Sequence, residues 1–283
     1  MVAWLGTGLL GSSFVRALLT RGETVHVWNR SGDKAKALEA DGAKAFLDPA
    51  DAVRGADRVH VTLSDDAAVD DVLESARPGF REGVVIVDHT TTSADGTAAR
   101  VARWAERGVA FQHAPVFMGP QNALEASGMM LASGDRALFD WLKPELTRMT
   151  GKLVHFGPQP ERAAGLKLLG NSFLVAMIAG LADVLTLAQS LHIPARDAAA
   201  LFDAFNPGAA VPARLKRMLE ADFEHPSWTL AMARKDARLM LDAAADGGRA
   251  LTVIPAAAEL MDRWLNAGHA QDDWTVISSE VVS

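Results

Sequence analysis

The chain has 283 residues and no cysteine, which excludes disulfides, thiolate metal sites and a cysteine nucleophile. Its 28 basic and 35 acidic residues give a net charge of −7, so there is no electrostatic reason to expect a nucleic acid or an anionic membrane as a partner. The length and the 49% hydrophobic content are sufficient for two domains, and the lack of cysteine and of a basic N-terminal leader leads us to expect a cytoplasmic location.

Residues 1–158 alternate short apolar runs with helical periodicity, which is typical of βαβ units around a parallel sheet. Helices are predicted between the strands, for example at residues 12–20, 34–40, 67–75 and 94–106. The predicted strands are residues 2–5, 24–28, 58–63, 84–87, 110–113, 129–132 and 152–155.

Strand patterns stop after Gly157-Pro158, and residues 159–283 have the pattern of helices. A long helix is predicted from about Arg162 to Leu191; because Gly180 and Asp183 interrupt its apolar sequence, we expect a buried helix of a soluble protein and not a membrane span. The predicted fold class is therefore α/β. A Rossmann-type, doubly wound parallel sheet is followed by an all-α C-terminal domain, with a long helix between the two.

A glycine-rich motif follows the first predicted strand and opens the first predicted helix, which is the context that a dinucleotide-binding fingerprint requires. The first glycine makes a tight turn, the second lets the backbone approach a pyrophosphate, and the third lets helix and strand pack closely. The predicted cofactor-binding residues of this motif are Gly6, Thr7, Gly8, Leu9, Leu10 and Gly11.

The end of the second strand predicts which nucleotide is bound. A protein that selects NAD commonly has Asp or Glu there to hold the ribose hydroxyls, whereas this chain has Asn29-Arg30-Ser31. An arginine pairs with a 2′-phosphate, and Asn and Ser add neutral donors, so NADP(H) is the predicted cofactor. The alternative is that Arg30 only caps a loop.

Lys167 and Asn171 lie four residues apart in an apolar, glycine-interrupted stretch, so a helix would place both side chains on one face. The pair is either a site or a solvated stripe whose lysine runs its stem along the core and its amine into water. As a site, a cationic amine can stabilise and protonate the oxygen that a hydride transfer leaves charged, and burial would bring the lysine pKa towards the working pH.

The glycine motif and five later segments, in order along the chain, resemble the β-hydroxyacid dehydrogenases and their relatives, the imine reductases, over essentially the whole chain. Besides the glycine motif and "VWNRSGDKAKAL", the segments are "VDHTTTS" for Asp-x-Ser-Thr, "HAPVFMGP" for Asp-Ala-Pro-Val-Ser-Gly-Gly, "GLKLLGN" for Lys-x-x-x-Asn and "RKDARLML" for a Lys-Asp pair.

The resemblance implies that Lys167 is the catalytic acid/base and that Asn171 is its partner. It also implies that Thr90 contacts substrate and that Leu63, Ser64, Thr91 and Lys235 contact the cofactor. The alternative for the threonines is a strand end satisfied by its own backbone, and the alternative for Lys235 is an exposed helix lysine.

The chain departs from the family pattern where Ser-Gly-Gly is replaced by Phe117, Met118 and Gly119, which are predicted to line a more apolar substrate pocket. His113 replaces the aspartate before Ala-Pro-Val and is either a second titrating group or structural. Glu161 and Arg162 occupy positions before Lys167 at which the family has small residues.

Of three candidate functions the sequence favours the first, and the other two are alternatives. The first is an NADP(H)-dependent oxidoreductase acting on a 3-hydroxy acid or a related alcohol or aldehyde; the second is an imine reductase; the third is a catalytically silent nucleotide-binding protein. A small-molecule substrate is expected, with no metal, no nucleic acid and no membrane. The apolar circumference of the long helix, together with the resemblance, predicts a homodimer or homotetramer in which residues 159–283 form the substrate and dimerisation domain.

Overall fold

The computed structural model describes residues 1–282. Its N-terminal half contains a six-stranded parallel sheet with the strand order β3-β2-β1-β4-β5-β6, which is the Rossmann order. The strands are β1 (Val2–Leu5), β2 (Val25–Trp28), β3 (Lys44–Phe46), β4 (Arg58–Val61), β5 (Val85–Asp88) and β6 (Ala110–His113). The predicted α/β fold class is confirmed.

Helices follow the strands and cover both faces of this sheet. They are α1 (Leu9–Thr20), α2 (Gly32–Lys36), α3 (Pro49–Val53), α4 (Asp66–Ala76) and α5 (Ala94–Glu106). The four residues of β1 show how the two faces are filled: Val2 and Trp4 belong to one buried cluster, whereas Ala3 and Leu5 belong to the other. Because successive side chains of a strand point to opposite faces, β1 is buried on both sides, as the centre of a parallel sheet must be.

A separate three-stranded sheet follows, in which β7 (Val116–Phe117) pairs antiparallel with β8 (Met129–Ala132) and β8 pairs parallel with β9 (Lys152–His155). Helices α6 (Pro120–Glu125) and α7 (Arg136–Thr147) lie between these strands along the chain. The expectation that residues 129–132 and 152–155 belong to the parallel Rossmann sheet is therefore wrong. The strands β3 and β7 were not predicted, since segments of three and two residues are too short to show an alternating pattern.

The remainder of the described chain is helical, as predicted. Its elements are α8 (Arg162–Ser190), α9 (Ala195–Ala204), α10 (Val211–Glu220), α11 (Leu230–Asp246), α12 (Ile254–Asn266) and α13 (Ser279–Val282). The chain divides into two compact units inside α8, between Asn171 and Ser172. The predicted boundary at residue 158 lies just before α8 begins, and it remains a prediction.

Helix α8 is long and apolar enough to cross a membrane by length and composition, a test that core helices of soluble proteins also pass. The expectation that it is buried is wrong for the single chain: Val175 is 70% exposed and Ile178 is 61% exposed. The helix is apolar around most of its circumference, and neighbouring elements of one chain can cover only part of such a surface. A continuous apolar surface of this kind marks an interaction site.

Asp183, whose carboxylate is buried, connects α8 to the start of α12. Its oxygens accept the backbone N–H groups of Thr252 at 2.6 Å, Val253 at 2.7 Å and Ile254 at 3.2 Å. Burial alone would raise the pKa of Asp183, but these hydrogen bonds outweigh burial and lower it. The acid that interrupts the apolar pattern of α8 is thus the cap for the free N–H groups of another helix.

Candidate functional site

A cleft of about 510 Å³ lies at the carboxyl ends of β1, β2, β4 and β5. In a doubly wound sheet this is the crevice where nucleotides bind. Of the predicted site residues, those on the cleft wall are Gly8, Leu9, Leu10, Gly11, Asn29, Arg30, Ser31, Leu63, Ser64, Thr90 and Thr91. The structure thus brings together residues that are up to 83 positions apart in the sequence, and their individual roles remain predictions.

The three glycines of the N-terminal motif are required for different structural reasons. Gly6 has φ +100°, and a Cβ at this position would lie 2.1 Å from the carbonyl oxygen of Thr62. A Cβ at Gly11 would lie 2.1 Å from the carbonyl oxygen of Gly6. At Gly8 a Cβ would meet no atom within 4 Å. Gly6 and Gly11 therefore permit the fold of the loop, whereas Gly8 leaves open space at the cleft.

The loop and the start of α1 fit the phosphates of a dinucleotide. The cap residue of α1 is Gly8, which offers no side chain to the helix N–H groups, and the first turn contains no acidic residue. The Thr7 hydroxyl is buried without a hydrogen-bond partner. Exposed N–H groups at the positive end of a helix, with an unused hydroxyl beside them, favour an anionic group.

Cationic side chains line the cleft beyond β2. Arg30 and Lys34 are both on the wall and exposed, and Ser31 lies between them. Lys34 was missed by the sequence interpretation; it lies in the first turn of α2, which begins at Gly32. Arg30 and Lys34 can pair with a phosphate ester.

Thr90 is held at both ends. Its backbone N–H donates to Asp88 Oδ1 at 2.9 Å, and its hydroxyl oxygen accepts the N–H of Leu63 at 3.0 Å. The Thr90 side chain also hydrogen-bonds to Asp88, so this carboxylate contacts both the backbone and the side chain of the threonine.

His89 also lines the cleft, and it was not among the predicted site residues. Burial lowers the pKa of His89 to about 4, so its ring is neutral at pH 7. Its Nδ1 donates to the carbonyl oxygen of Ala114 at 2.7 Å, and its Nε2 therefore accepts from His60 Nδ1 at 2.9 Å. Both ring nitrogens are occupied within the protein, so His89 is a wall residue and not an acid/base group.

His113 and Asp88 are completely buried at the ends of neighbouring strands, with His113 Nδ1 3.4 Å from Asp88 Oδ2. Burial would raise the pKa of Asp88, but the interactions with His113 and Thr90 outweigh it and lower the pKa. His113 is not on the cleft wall. This arrangement favours the structural alternative for His113, which supports the carboxylate that holds Thr90.

Lys167 and Asn171 lie on α8 one turn apart, and the Lys167 side chain is only 9% exposed. Burial lowers the pKa of the Lys167 amine. Within residues 1–282 this amine makes no ion pair; it lies 4.1 Å from the centroid of the Phe117 ring. A buried, unpaired ammonium is the state in which a lysine exchanges a proton most readily near neutral pH.

The remaining predicted residues lie off the cleft wall. Phe117 ends β7, Met118 packs against a hydrophobic core, and Gly119 is the cap residue of α6. Lys235 lies on α11, where its amine contacts Asp236 at 2.8 Å and its side chain is 44% exposed. The roles of these residues remain predictions. Residues 1–282 contain no cluster of three or more His, Asp or Glu side chains placed to hold a metal ion.

Comparison with known proteins supplies the family. Residues 1–157 match the NAD binding domain of 6-phosphogluconate dehydrogenase. An uncharacterized oxidoreductase from Shewanella frigidimarina is 30% identical over 274 residues, which cover 93% of this chain and 90% of that protein. The chain belongs to the β-hydroxyacid dehydrogenase-like family, which is related to the imine reductases. As a member of this oxidoreductase family it carries an NAD(P)-binding domain.

Two further relatives show the range of proteins that share the β-hydroxyacid dehydrogenase-like architecture. The imine reductase from Myxococcus stipitatus in complex with NADP+ superposes with a TM-score of 0.92 at 22% identity, covering 98% of both chains, which shows the same fold. The human cytokine-like nuclear factor N-PAC is 31% identical over 247 residues. That match covers 85% of this chain but 44% of N-PAC, so the chain spans less than half of that relative.

Proposed function

We propose that this protein is an NADP(H)-dependent oxidoreductase that interconverts a 3-hydroxy acid, or a related alcohol, with its aldehyde or ketone. The observation that carries the proposal is Lys167, a residue only 9% exposed whose amine has no ion pair among the described residues, at the family's Lys-x-x-x-Asn motif. The cleft lined by the glycine motif adds the binding site that such a reaction needs.

The cofactor supplies the hydride when it is bound. In the direction of reduction, the Lys167 ammonium donates a proton to the carbonyl oxygen as negative charge develops there; in the reverse direction, the neutral amine accepts the hydroxyl proton. Asn171 orients the amine or the substrate oxygen without adding a charge. Thr90 lines the cleft, and its hydroxyl would donate to the substrate carboxylate in place of Asp88.

The preference for NADP(H) is supported by Arg30 and Lys34, which line the cleft beyond β2. A guanidinium pairs with a 2′-phosphate through two parallel N–H groups, and a lysine adds a point charge. The strand end itself carries Asn29, where a carboxylate would repel that phosphate and favour NAD.

The test is to assay the protein with a panel of semialdehydes, glyoxylate and 3-hydroxy acids and to measure turnover as the change in nicotinamide absorbance. We expect turnover with NADPH or NADP+, and a kcat/KM for NADPH well above that for NADH. A preference for NADH would reject the cofactor assignment. Nucleotide binding without turnover of any carbonyl or imine would instead identify a catalytically silent nucleotide-binding protein.

A second candidate function is NADPH-dependent imine reduction. It is favoured by Phe117 and Met118, which replace a hydroxyl and a bare backbone position by an aromatic ring and a thioether. Cyclic imines in the same panel discriminate the two functions, because an imine reductase consumes NADPH with imines and not with semialdehydes.

We further propose that the exposed apolar surface of α8 is covered by a second copy of the chain. The helix combines large exposed side chains, among them Leu169, Val175 and Ile178, with a single charged residue after position 167, and that residue is the buried Asp183. A surface without charge is costly to leave in water and is typical of permanent homo-oligomer interfaces.

A further inference from the structure

Phe117 and Lys167 form a close contact that the reaction scheme above does not use. The Lys167 Nζ lies 4.1 Å from the centroid of the Phe117 ring, within the range in which an ammonium is attracted to the face of an aromatic ring. The amine has no carboxylate partner within residues 1–282, so its positive charge interacts with the face of the Phe117 ring.

Gly170 determines where the ring can lie. A Cβ at this position would be 2.3 Å from Phe117 Cζ and 2.7 Å from Cε1, distances that real Cβ atoms do not show. Gly170 follows Lys167 by three residues, so both lie on the same side of α8. On one face of α8 the Phe117 ring thus packs against Gly170 and contacts the amine of Lys167.

Strand β8 and the residue that follows it are hydrogen-bonded to both β7, which carries Phe117, and the start of α8, which carries Lys167. Phe117 pairs with Met129 of β8, and the side chain of Ser133, which follows β8, accepts the N–H of Ala163 at 2.9 Å near the start of α8. The Ser133 hydroxyl donates in turn to the carbonyl oxygen of Pro160 at 3.1 Å. The ring and the helix therefore have a common anchor, which limits their relative movement.

We propose that Phe117 is a positioning residue for Lys167, holding the ammonium against its ring face, and that Gly170 is the seat that admits the ring. The proposal rests on the proposed function only where it makes this amine the proton donor. Burial disfavours the ammonium, and the ring face favours it, so the ring keeps the donor protonated in a site that would otherwise neutralise it. A serine at residue 117 would have no face to offer.

The test measures the amine directly in the full-length protein. Lys167 is reductively methylated as a function of pH, and the modified peptide is quantified by mass spectrometry, so that the rate profile gives the pKa and its plateau gives the accessibility of the amine. In Phe117→Leu we expect the pKa of Lys167 to fall, with modification at a fixed pH below that pKa about threefold to tenfold faster after correction for the plateau. Phe117→Tyr, which keeps a ring face, should behave as the wild type does.

Two further variants complete the design. Gly170→Ala should shift the pKa in the same direction as Phe117→Leu, because the added methyl displaces the ring, and Phe80→Leu, a ring packed on Trp104, is the matched control. An unchanged or raised pKa in a folded Phe117→Leu would overturn the proposal, even if Gly170→Ala fails to fold.

The labelling needs no substrate, so it separates this proposal from the proposed function. A lowered pKa in Phe117→Leu supports the positioning role, whether or not a substrate is turned over. With a substrate in hand, the pH above which kcat for reduction falls should also be lower in Phe117→Leu than in Phe117→Tyr.

Discussion

Asn29 Oδ1 accepts the backbone N–H of Thr7 at 3.0 Å, and this bond joins the end of β2 to the glycine loop. The Asn29 amide nitrogen also donates to the carbonyl oxygen of Ser31 at 3.1 Å. Asn29 therefore acts first on the protein itself, since it fixes the turn that presents Arg30 beside the loop.

Because Asn29 holds this turn, Arg30→Ala should remove the charge without moving the loop. We expect KM for NADPH to rise roughly tenfold to hundredfold, the range for losing a hydrogen bond to a charged group, with little change in KM for NADH. Steady-state kinetics with both cofactors measure this, and Arg54→Ala, an exposed arginine of the same unit, is the control. Equal increases for the two cofactors would show that Arg30 does not read the 2′-phosphate.

Gly8→Ala and Gly11→Ala should separate binding from folding. A Cβ at Gly8 meets no atom within 4 Å, so this variant should keep its melting temperature but bind NADPH more weakly, since the methyl occupies the space where the pyrophosphate approaches. A Cβ at Gly11 would lie 2.1 Å from the Gly6 carbonyl oxygen, so that variant should lose stability. Thermal melts and titration calorimetry distinguish the two. Normal NADPH affinity in Gly8→Ala would contradict the assigned pyrophosphate position.

Lys167→Met keeps the stem of the side chain and removes the amine. We expect kcat to fall by about 10²- to 10⁴-fold, the usual contribution of a general acid, while the Kd for NADPH changes little. Stopped-flow kinetics and fluorescence titration measure the two quantities, and Lys143→Met provides a variant at an exposed lysine. Ordinary turnover in Lys167→Met would reject the catalytic assignment.

Asp273→Asn should destabilise the helical unit. The buried carboxylate accepts from the backbone N–H and hydroxyl groups of Ser227 and Thr275 at 2.7 to 3.1 Å. Burial would raise the pKa of Asp273, but these bonds outweigh it and lower the pKa to about 2. At pH 7 the substitution should reduce the free energy of unfolding by about 2 kcal/mol.

The pH dependence has a defined sign. The pKa of Asp273 in the folded protein is below 3.8, the ordinary value of an aspartate in the unfolded chain. The contribution of Asp273 to the free energy of unfolding is therefore complete above pH 3.8 and is lost as the pH falls towards about 2. Denaturant unfolding followed by intrinsic tryptophan fluorescence should therefore show a difference in the free energy of unfolding between Asp273→Asn and the wild type that narrows across this pH range. The exposed Asp203→Asn serves as the control; a difference independent of pH would contradict the assignment.

Ile178→Arg should shift the protein to the monomer, because it places a charge in the middle of the exposed apolar surface of α8. Light scattering at micromolar concentration measures the mass. Leu47→Arg, at a side chain that is 91% exposed in the N-terminal unit, should leave the oligomer intact. A wild-type protein that is already monomeric would exclude the interface.

The sequence predicted those features whose physical signal is local. The glycine motif and the residues around Arg30 are recognisable by their spacing, and all seven predicted strands are found within two residues of their predicted ends. The strands β3 and β7 escaped because their pairing comes from neighbours distant in the chain and not from their own residues. For the same reason the sequence could not show that β8 and β9 leave the main sheet.

In the candidate site, too, features with a local sequence signal were predicted and features that depend on contacts between distant residues were not. The resemblance indicated Phe117, but only the folded chain shows its ring against Lys167 and at Gly170, because that contact joins positions about fifty residues apart. Lys34 and His89 are also tertiary findings. Their neighbours in sequence were named, yet nothing in a linear pattern separates a side chain that faces the cleft from one that faces the solvent.

Asp183 limits what could surround the exposed part of α8. Its two oxygens take three N–H groups from the residues that open α12, and hydrocarbon offers no substitute for any of them. If lipid enclosed this stretch, the carboxylate and the start of α12 would have to enter with it or separate, and either would leave polar groups unsolvated. A protein surface can lie along the apolar side chains and leave this cap intact.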